Sequence, residues 1–406
     1  MWKTLLVLGV TFYTLGSTFV FAQEPKEAVF EPRFSTDWRL RYQSLERDGF
    51  DEDGIALTAR LRTALEIDIL PKTTFLAEAE GNLALVDNFN DGRQILPTRP
   101  FIPDPEGLEL NRLQITTEIL PKTRLTLGRQ KIALDDWRFI GSFPFRQNDQ
   151  TIDALRVETR VFGAGVLDIG YFNKVHRPLG QKNINGVFEG DSYFANYNIG
   201  TPLGRLSTFH YSLGLESGPL GSLRQDASSE TTGFRILGRR DEAFISYVWE
   251  GSYARQNERG GNPADYSADY ILGEFTLKPG QFTFKTRAEI LGSDQGHSVQ
   301  TPLASLHRFQ GFSDQFLTTP PDGLRDYSVF LEYDLGRIGP FRRVKTFARH
   351  HWFESHVNKR AYGKEINLSL TGRLEGFRMA IEYADYKAQT FSANSRALFL
   401  SAEFDF

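Results

Sequence analysis

The chain ends Leu398-Phe399-Leu400-Ser401-Ala402-Glu403-Phe404-Asp405-Phe406. Side chains along a strand point alternately to its two faces. Leu398, Leu400, Ala402, Phe404 and Phe406 therefore share one face, and Ser401, Glu403 and Asp405 the other. A water-soluble sheet gains little from an apolar stripe that runs to the last residue with carboxylates directly behind it. A transmembrane β-barrel needs that pattern, because one face of the strand meets lipid and the other meets water.

The beginning agrees with the end. Lys3 is the only charge before Glu24, the stretch from Leu5 to Phe21 is largely apolar, and Val20-Phe21-Ala22 offers small residues for a signal peptidase. Residues 1–22 are thus expected to be a signal peptide, with 23–406 a single barrel domain. Thr11, Thr14, Gly16, Ser17 and Thr18 dilute the apolar stretch and argue against a retained membrane helix. The absence of cysteine rules out disulfides and thiolate metal sites. A net charge of -4 gives no reason to expect a nucleic-acid partner.

Alternation predicts eighteen strands, near 34–44, 55–69, 73–86, 108–119, 123–130, 151–161, 164–173, 190–199, 203–215, 231–239, 242–254, 266–278, 281–291, 325–335, 342–353, 362–374, 376–387 and 396–406. Short turns such as Leu70-Pro71-Lys72-Thr73, Leu120-Pro121-Lys122-Thr123 and Lys278-Pro279-Gly280 alternate with long polar loops at 87–107, 131–150, 216–230 and 292–324. Outer-membrane barrels have this rhythm, with periplasmic turns and extracellular loops. A secreted β-sandwich shares the period of two, so the second strand is informative. Ile55, Leu57, Ala59, Leu61, Leu65, Ile67 and Ile69 have one parity; Thr58, Arg60, Arg62, Glu66 and Asp68 have the other. A one-residue slip would put those charges in lipid, at about 2–4 kcal/mol for each arginine near the midplane. Some strands are less clear, notably 231–239 and 266–278, where parity is mixed. Trp249 and Trp352 are expected at the outer rim, and Phe34, Tyr333, Phe377, Phe404 and Phe406 at the periplasmic rim.

The expected fold class is therefore all-β, an antiparallel transmembrane barrel of about eighteen strands in the bacterial outer membrane. Near mid-strand the inward parity carries Arg39, Arg41, Arg60, Arg62, Arg112, Arg156, Lys285, Arg287 and Arg349, against Glu78, Glu80, Asp168 and Glu382. Cations in a narrow lumen select anions, and guanidinium grips a carboxylate through two hydrogen bonds. The alternative is that these arginines brace the wall through ion pairs with Glu66, Asp68, Glu118 and Glu158.

The densest motif runs Gly128-Arg129-Gln130, Asp136-Trp137-Arg138-Phe139-Ile140-Gly141, Phe145-Arg146-Gln147-Asn148 and Thr151-Ile152-Asp153-Ala154-Leu155-Arg156. It resembles the alginate-export family of outer-membrane porins over about thirty residues, with the strand count and terminal Phe406 extending the match loosely. The resemblance implies an arginine-lined channel passing an anionic polysaccharide outward. It also implies that Arg129, Arg138, Arg146, Asp153 and Arg156 line the pore or its loop. Arg129 has the outward parity of Leu125 and Leu127, so a bulge at Gly128 is needed to turn it inward. The ending is similar to the strand by which the barrel-assembly machinery recognises its substrates, with Phe406 as the aromatic.

Enzyme signatures are missing: no G-x-S-x-G, H-E-x-x-H or phosphate-binding loop occurs. His307 with Ser313, or His297 with Ser293, would be the residues of a barrel hydrolase. The acidic loops at 48–53 and 87–91 offer carboxylates to Ca²⁺ without the twelve-residue pattern. No cofactor is expected. The partners expected are outer-membrane lipid, the assembly machinery through Phe406, and an anionic polysaccharide or small anionic solute. The function expected is an anion-passing porin of the export kind, with a general or small-molecule uptake porin as the alternative.

Overall fold

The computed structural model describes residues 31–92, 96–161, 163, 165–183, 185–217, 228–260, 262 and 264–405. The segment expected to be the signal peptide, and Phe406, lie outside them. Eighteen long strands follow in order. They begin with β1 (Arg33–Arg47), β2 (Gly54–Leu70), β3 (Thr73–Asn88), β4 (Gly107–Thr117), β5 (Thr123–Gln130) and β6 (Thr151–Val161). Next come β7 (Gly165–His176), β8 (Val187–Thr201), β9 (Gly204–Leu213), β10 (Ser229–Asp241), β11 (Ile245–Glu258) and β12 (Ser267–Pro279). The last six are β13 (Phe282–Leu291), β14 (Leu324–Ile338), β15 (Phe341–Glu354), β16 (Ala361–Leu374), β17 (Phe377–Ala388) and β18 (Ser395–Asp405). Each is antiparallel to the next, and β18 returns to β1 from Asp37 opposite Asp405 to Arg47 opposite Ser395. The sheet is closed.

The two faces are inverted relative to a soluble protein. Leu83, Leu108, Ile115, Leu127, Ile271, Leu331, Ile366, Leu368, Ile381 and Leu400 are exposed on the outside, while Arg39, Arg41, Arg60, Arg62, Glu78 and Glu80 are buried inside. That arrangement is stable only where the surrounding solvent is hydrocarbon. The chain is a transmembrane barrel, and an antiparallel barrel with this apolar outer band belongs to the bacterial outer membrane.

The two Leu-Pro-Lys-Thr turns adopt one conformation. Lys72 and Lys122 have φ of 61° and 59°, and proline followed by a positive φ is the type II arrangement. The long loops at the other barrel end, which is extracellular in such barrels, fold into the lumen. The loop after β5 (131–150) and the loop after β13 (292–323) meet there, with Ile140 bridged to Leu303 and Gln150 Nε2 donating to both Gly141 O and Leu303 O at 2.7 and 3.0 Å. They bring their own apolar core. Ile132, Leu134, Ile140, Leu303 and Phe316 pack on inward-facing Phe172, Phe194, Phe209, Tyr211, Tyr270 and Leu272 of the wall.

This explains the mixed parity of the twelfth strand: Tyr270 and Leu272 face inward because loop residues, not water, meet them. At 231–239 the parity is broken by Leu237, which shares the face of buried Arg235, while at Gly238 an added Cβ would lie 2.1 Å from the Trp249 ring. Trp249 covers that bare backbone near the short turn between β10 and β11, so its expected place at the outer rim is corrected. Trp352, near the end of β15, lies toward the long-loop end as expected.

Candidate functional site

The lumen narrows where Pro144, Phe145 and Arg146 of the first loop reach β1. Arg39 Nη2 donates to Pro144 O at 2.7 Å and Nη1 to Arg146 O at 2.9 Å, and Arg41 donates to Phe145 O. Three carbonyls in a row are thus held by two neighbouring inward arginines. Two guanidinium groups lie close to the Phe145 ring, with Arg41 Cζ 4.6 Å and Arg146 Cζ 5.2 Å from its centroid. It stacks on the His307 ring at 3.4 Å and 13°, and Phe312 stacks on His307 at 4.8 Å and 9°. Both loops therefore contribute to one waist.

A cavity lies on each side. The inner one, about 310 Å³, is lined by Arg39, Arg41, Phe145, Arg343, Arg373 and Glu382 and faces the short-turn end. The outer one, about 280 Å³, is built from long-loop residues that include Phe101, Phe143, Arg146, Arg177, His307 and Leu317. Arg146 stands in the outer cavity, and Arg39 and Arg41 in the inner one.

The remaining expected cations are mostly held by carboxylates. Arg60 pairs with Asp37, Arg62 with Glu80 and with Asp149 at 3.1 Å, and Arg112 with Glu78. Arg156 bonds Asp168 at 2.6 Å and Glu158 at 3.1 Å. Lys285 reaches Glu274 at 2.7 Å, and Arg287 reaches Glu274 and Glu289, each at 3.2 Å. Arg138, fully buried, bonds Glu289 at 2.8 Å and lies over Phe309, ending in the loop core and not in open lumen. Arg349 differs. It lies over the Phe330 ring at 5.2 Å, and among the described residues no carboxylate forms an ion pair with it. The bracing role is thus real for many arginines, although Glu66 and Asp68 pair with Arg33 and Glu118 with Arg124.

Arg129 and Asp153 correct the family-based expectation. Arg129 sits opposite both Leu113 and Asp153, and Leu113 is exposed on the outer face. No register shift turns the strand at Gly128. The pair bonds at 2.8 Å on the outer side, with His176 Nε2 3.0 Å from Asp153. Neither residue lines the lumen. Arg112 and Arg156 face inward but do not reach the waist.

The acids that set the loops came from the loops themselves, and sequence parity could not find them. Asp104, almost fully buried, pairs with Arg41, accepts Gln147 N–H at 2.8 Å and lies 3.9 Å from Arg146 Nη1. Asp149 pairs with Arg62 and Lys131. Asp314 pairs with Arg146 and with His307 Nδ1 at 3.1 Å. Burial alone would push the Asp149 carboxyl up, but Arg62 and Lys131 outweigh it and hold it at about 2. Burial also opposes ionisation of Asp104 and Asp314, and their cationic neighbours again prevail and lower both.

An unfolded aspartate titrates near ~3.9, so these groups bind fewer protons when the loops are docked. Their contribution is present above about pH 4 and is lost as pH falls through each lowered folded value, about 2 for Asp149. Loop release, seen as a stepwise rise in single-channel conductance, should therefore be confined to below about pH 4. Release steps at neutral pH would contradict this account.

The two Ser/His pairs of the hydrolase reading do not form. His307 is bonded to Asp314, and Ser293 and His297 lie on a small hairpin opposite Ser298 and Asp294 respectively. Among the described residues no cluster of three carboxylate or imidazole groups could hold a metal ion, in the acidic loops or elsewhere.

No protein-family model matches the chain, and no curated protein sequence does. Solved structures do. Acinetobacter baumannii OccAB4 aligns with a TM-score of 0.70 at 14% identity, covering 93% of this chain and 98% of that one. Pseudomonas aeruginosa OpdK, solved with vanillate, gives 0.68 at 13% over 92% and 98%, and OpdO of the same species 0.68 at 12% over 93% and 97%. The chain has the fold of the Occ/Opd porins. At such identities the likeness concerns the barrel and its eighteen-strand architecture. The alginate-export resemblance narrows to the fold, an eighteen-stranded outer-membrane barrel.

Proposed function

We propose that this barrel is a passive outer-membrane channel for small anionic solutes, carboxylates above all, and that it serves uptake. The observation that carries the reading is the placement of cations on both sides of one waist: Arg146 outside, Arg39 and Arg41 inside, all in contact with Phe145 or its carbonyl. An anion leaving the first guanidinium meets the next within a side-chain length, in a lumen whose low-dielectric walls focus the field.

Size supports small cargo. Cavities of about 280 and 310 Å³ separated by a loop-held waist suit a solute of a few carbon atoms per charge, at the low end of small-molecule sites. A polysaccharide would have to thread a waist fastened by ion pairs from both loops, and the export reading gains no support from the structural likeness. The similar structures are porins, and OpdK was solved with vanillate, a carboxylate.

The zero-current potential of single channels in a salt gradient tests the reading. An anion preference that weakens as salt rises is expected, because the Debye length shrinks from about 10 Å at 0.1 M to about 3 Å at 1 M. A neutral or cation-selective pore would overturn it. Liposomes carrying the barrel should admit benzoate and exclude an oligouronate. Equal entry of both would restore the polymer.

A further inference from the structure

His307 is not explained by its packing. Its ring is sandwiched between Phe145 and Phe312, Phe399 meets it edge-on at 5.7 Å, and its Nδ1 is 3.1 Å from Asp314 Oδ1. The side chain is 7% exposed and lines the outer cavity, yet Nε2 has no hydrogen-bond partner. Arg146 lies across the same carboxylate, also lines that cavity, is 6% exposed, and makes no hydrogen bond through Nη1. Both residues line one cavity whose other walls include Phe101, Phe143, Leu306 and Leu317, and each keeps one buried nitrogen without a hydrogen bond. Unmet buried polar atoms are costly, and their pairing here points to a ligand.

We propose that the outer cavity is an anion seat whose second anchor is His307 in its protonated form. The proposal rests on the uptake reading and adds a binding site with a regulator. With Nδ1–H committed to Asp314, a neutral imidazole presents a bare lone pair at Nε2, which repels an anion. A protonated one presents N–H, so one oxyanion group is gripped by Arg146 and His307 together while an apolar or aromatic body rests on the phenylalanine and leucine walls.

Charged groups face His307 from several elements. Asp314 faces His307 from its own loop, and Glu382 from β17. Opposing them are Arg146 from the first loop and, beyond the Phe145 ring, Arg39 and Arg41 of β1. Arg39 is paired with Glu403 of β18, and Arg41 with Asp104. The flanking aromatic faces favour a cation between them. External acidification would then load the channel with its own solutes.

The test uses the intact barrel in planar bilayers, with benzenesulfonate added on the long-loop side. This probe stays ionised throughout, so any pH dependence belongs to the protein. Going from about pH 8 to about pH 5.5 should lengthen its blocking events about tenfold, the worth of one charge-assisted hydrogen bond. His307→Phe keeps the aromatic stack and should block weakly at both pH values. His307→Gln, a second variant in case the first misfolds, should do the same, while His176→Gln, on the outer face of the wall, should retain the response.

Wild-type block that is independent of pH would overturn the seat and leave the channel reading standing, because the salt-gradient potential reads that separately. A pH response surviving in both His307 variants would also overturn it. So would block stronger from the short-turn side.

Discussion

Asp104→Ala should release the first loop and cost about 3–5 kcal/mol of stability, because a buried partner of two arginines is removed at once. Arg41 would lose its ion pair, Arg146 would keep only Asp314, and the Gln147 N–H would lose its acceptor. The like charges of Arg39, Arg41 and Arg146 would then repel one another across Phe145. Since those three residues hold the waist, single-channel conductance should rise several-fold. Asp104→Asn can still accept the Gln147 N–H and should give an intermediate channel. Heat-modifiable gel mobility separates a folded, widened barrel from an unfolded one. A folded Asp104→Ala barrel with unaltered conductance would show that Asp104 does not hold the waist.

The second large effect is on selectivity, and it can be sought without breaking a buried pair. Arg343 and Arg373 line the inner cavity, are exposed, and among the described residues form no ion pair with a carboxylate. They share the short-turn mouth with Arg342, which lies opposite Arg373, and with Arg378. Replacing both by Glu reverses two charges where like charges crowd, so folded yield should hold or improve. The anion preference should fall sharply at low salt, and the change should fade as salt screens exposed charge. The zero-current potential reports it. Double-mutant channels as anion-selective as wild type would place the selecting charges at the waist alone.

The barrel was legible in the sequence because lipid imposes a strict rule on each strand. Ile366, Leu368 and Leu370 alternate with Glu365, Asn367 and Ser369, which leaves one solution for the strand, and all eighteen strands lie where alternation places them. The lumen obeys no such rule. Tyr270 and Leu272 read as misplaced apolar residues until the loops that cover them are seen, and Gly238 reads as a gap until Trp249 lies on it.

The arginines were visible by parity, while their acids were not. Asp104, Asp149 and Asp314 sit on loops far away in sequence, and no periodicity links them to Arg41, Arg62 and Arg146. Arg129 teaches the converse. Its own parity pointed outward, the family pattern pointed inward, and the strand followed parity. His307 was singled out only beside Ser313 as a hydrolase pair, and its stacking could not be read from the sequence, because Phe145 and Phe312 meet its two faces only in the fold.

Arg39 carries a consequence for biogenesis. One guanidinium binds Glu403 on the final strand and the carbonyls of Pro144 and Arg146 in the first inserted loop. The seam where the two chain ends join is therefore also the clasp of the constriction. Until β18 docks on β1, the positive charge at that position lacks its counter-ion and the loop lacks a settled anchor. A barrel still open along its seam cannot yet own a finished gate. Selective passage is thus conferred by the same event that makes the wall continuous, and a half-made channel is never a half-selective one.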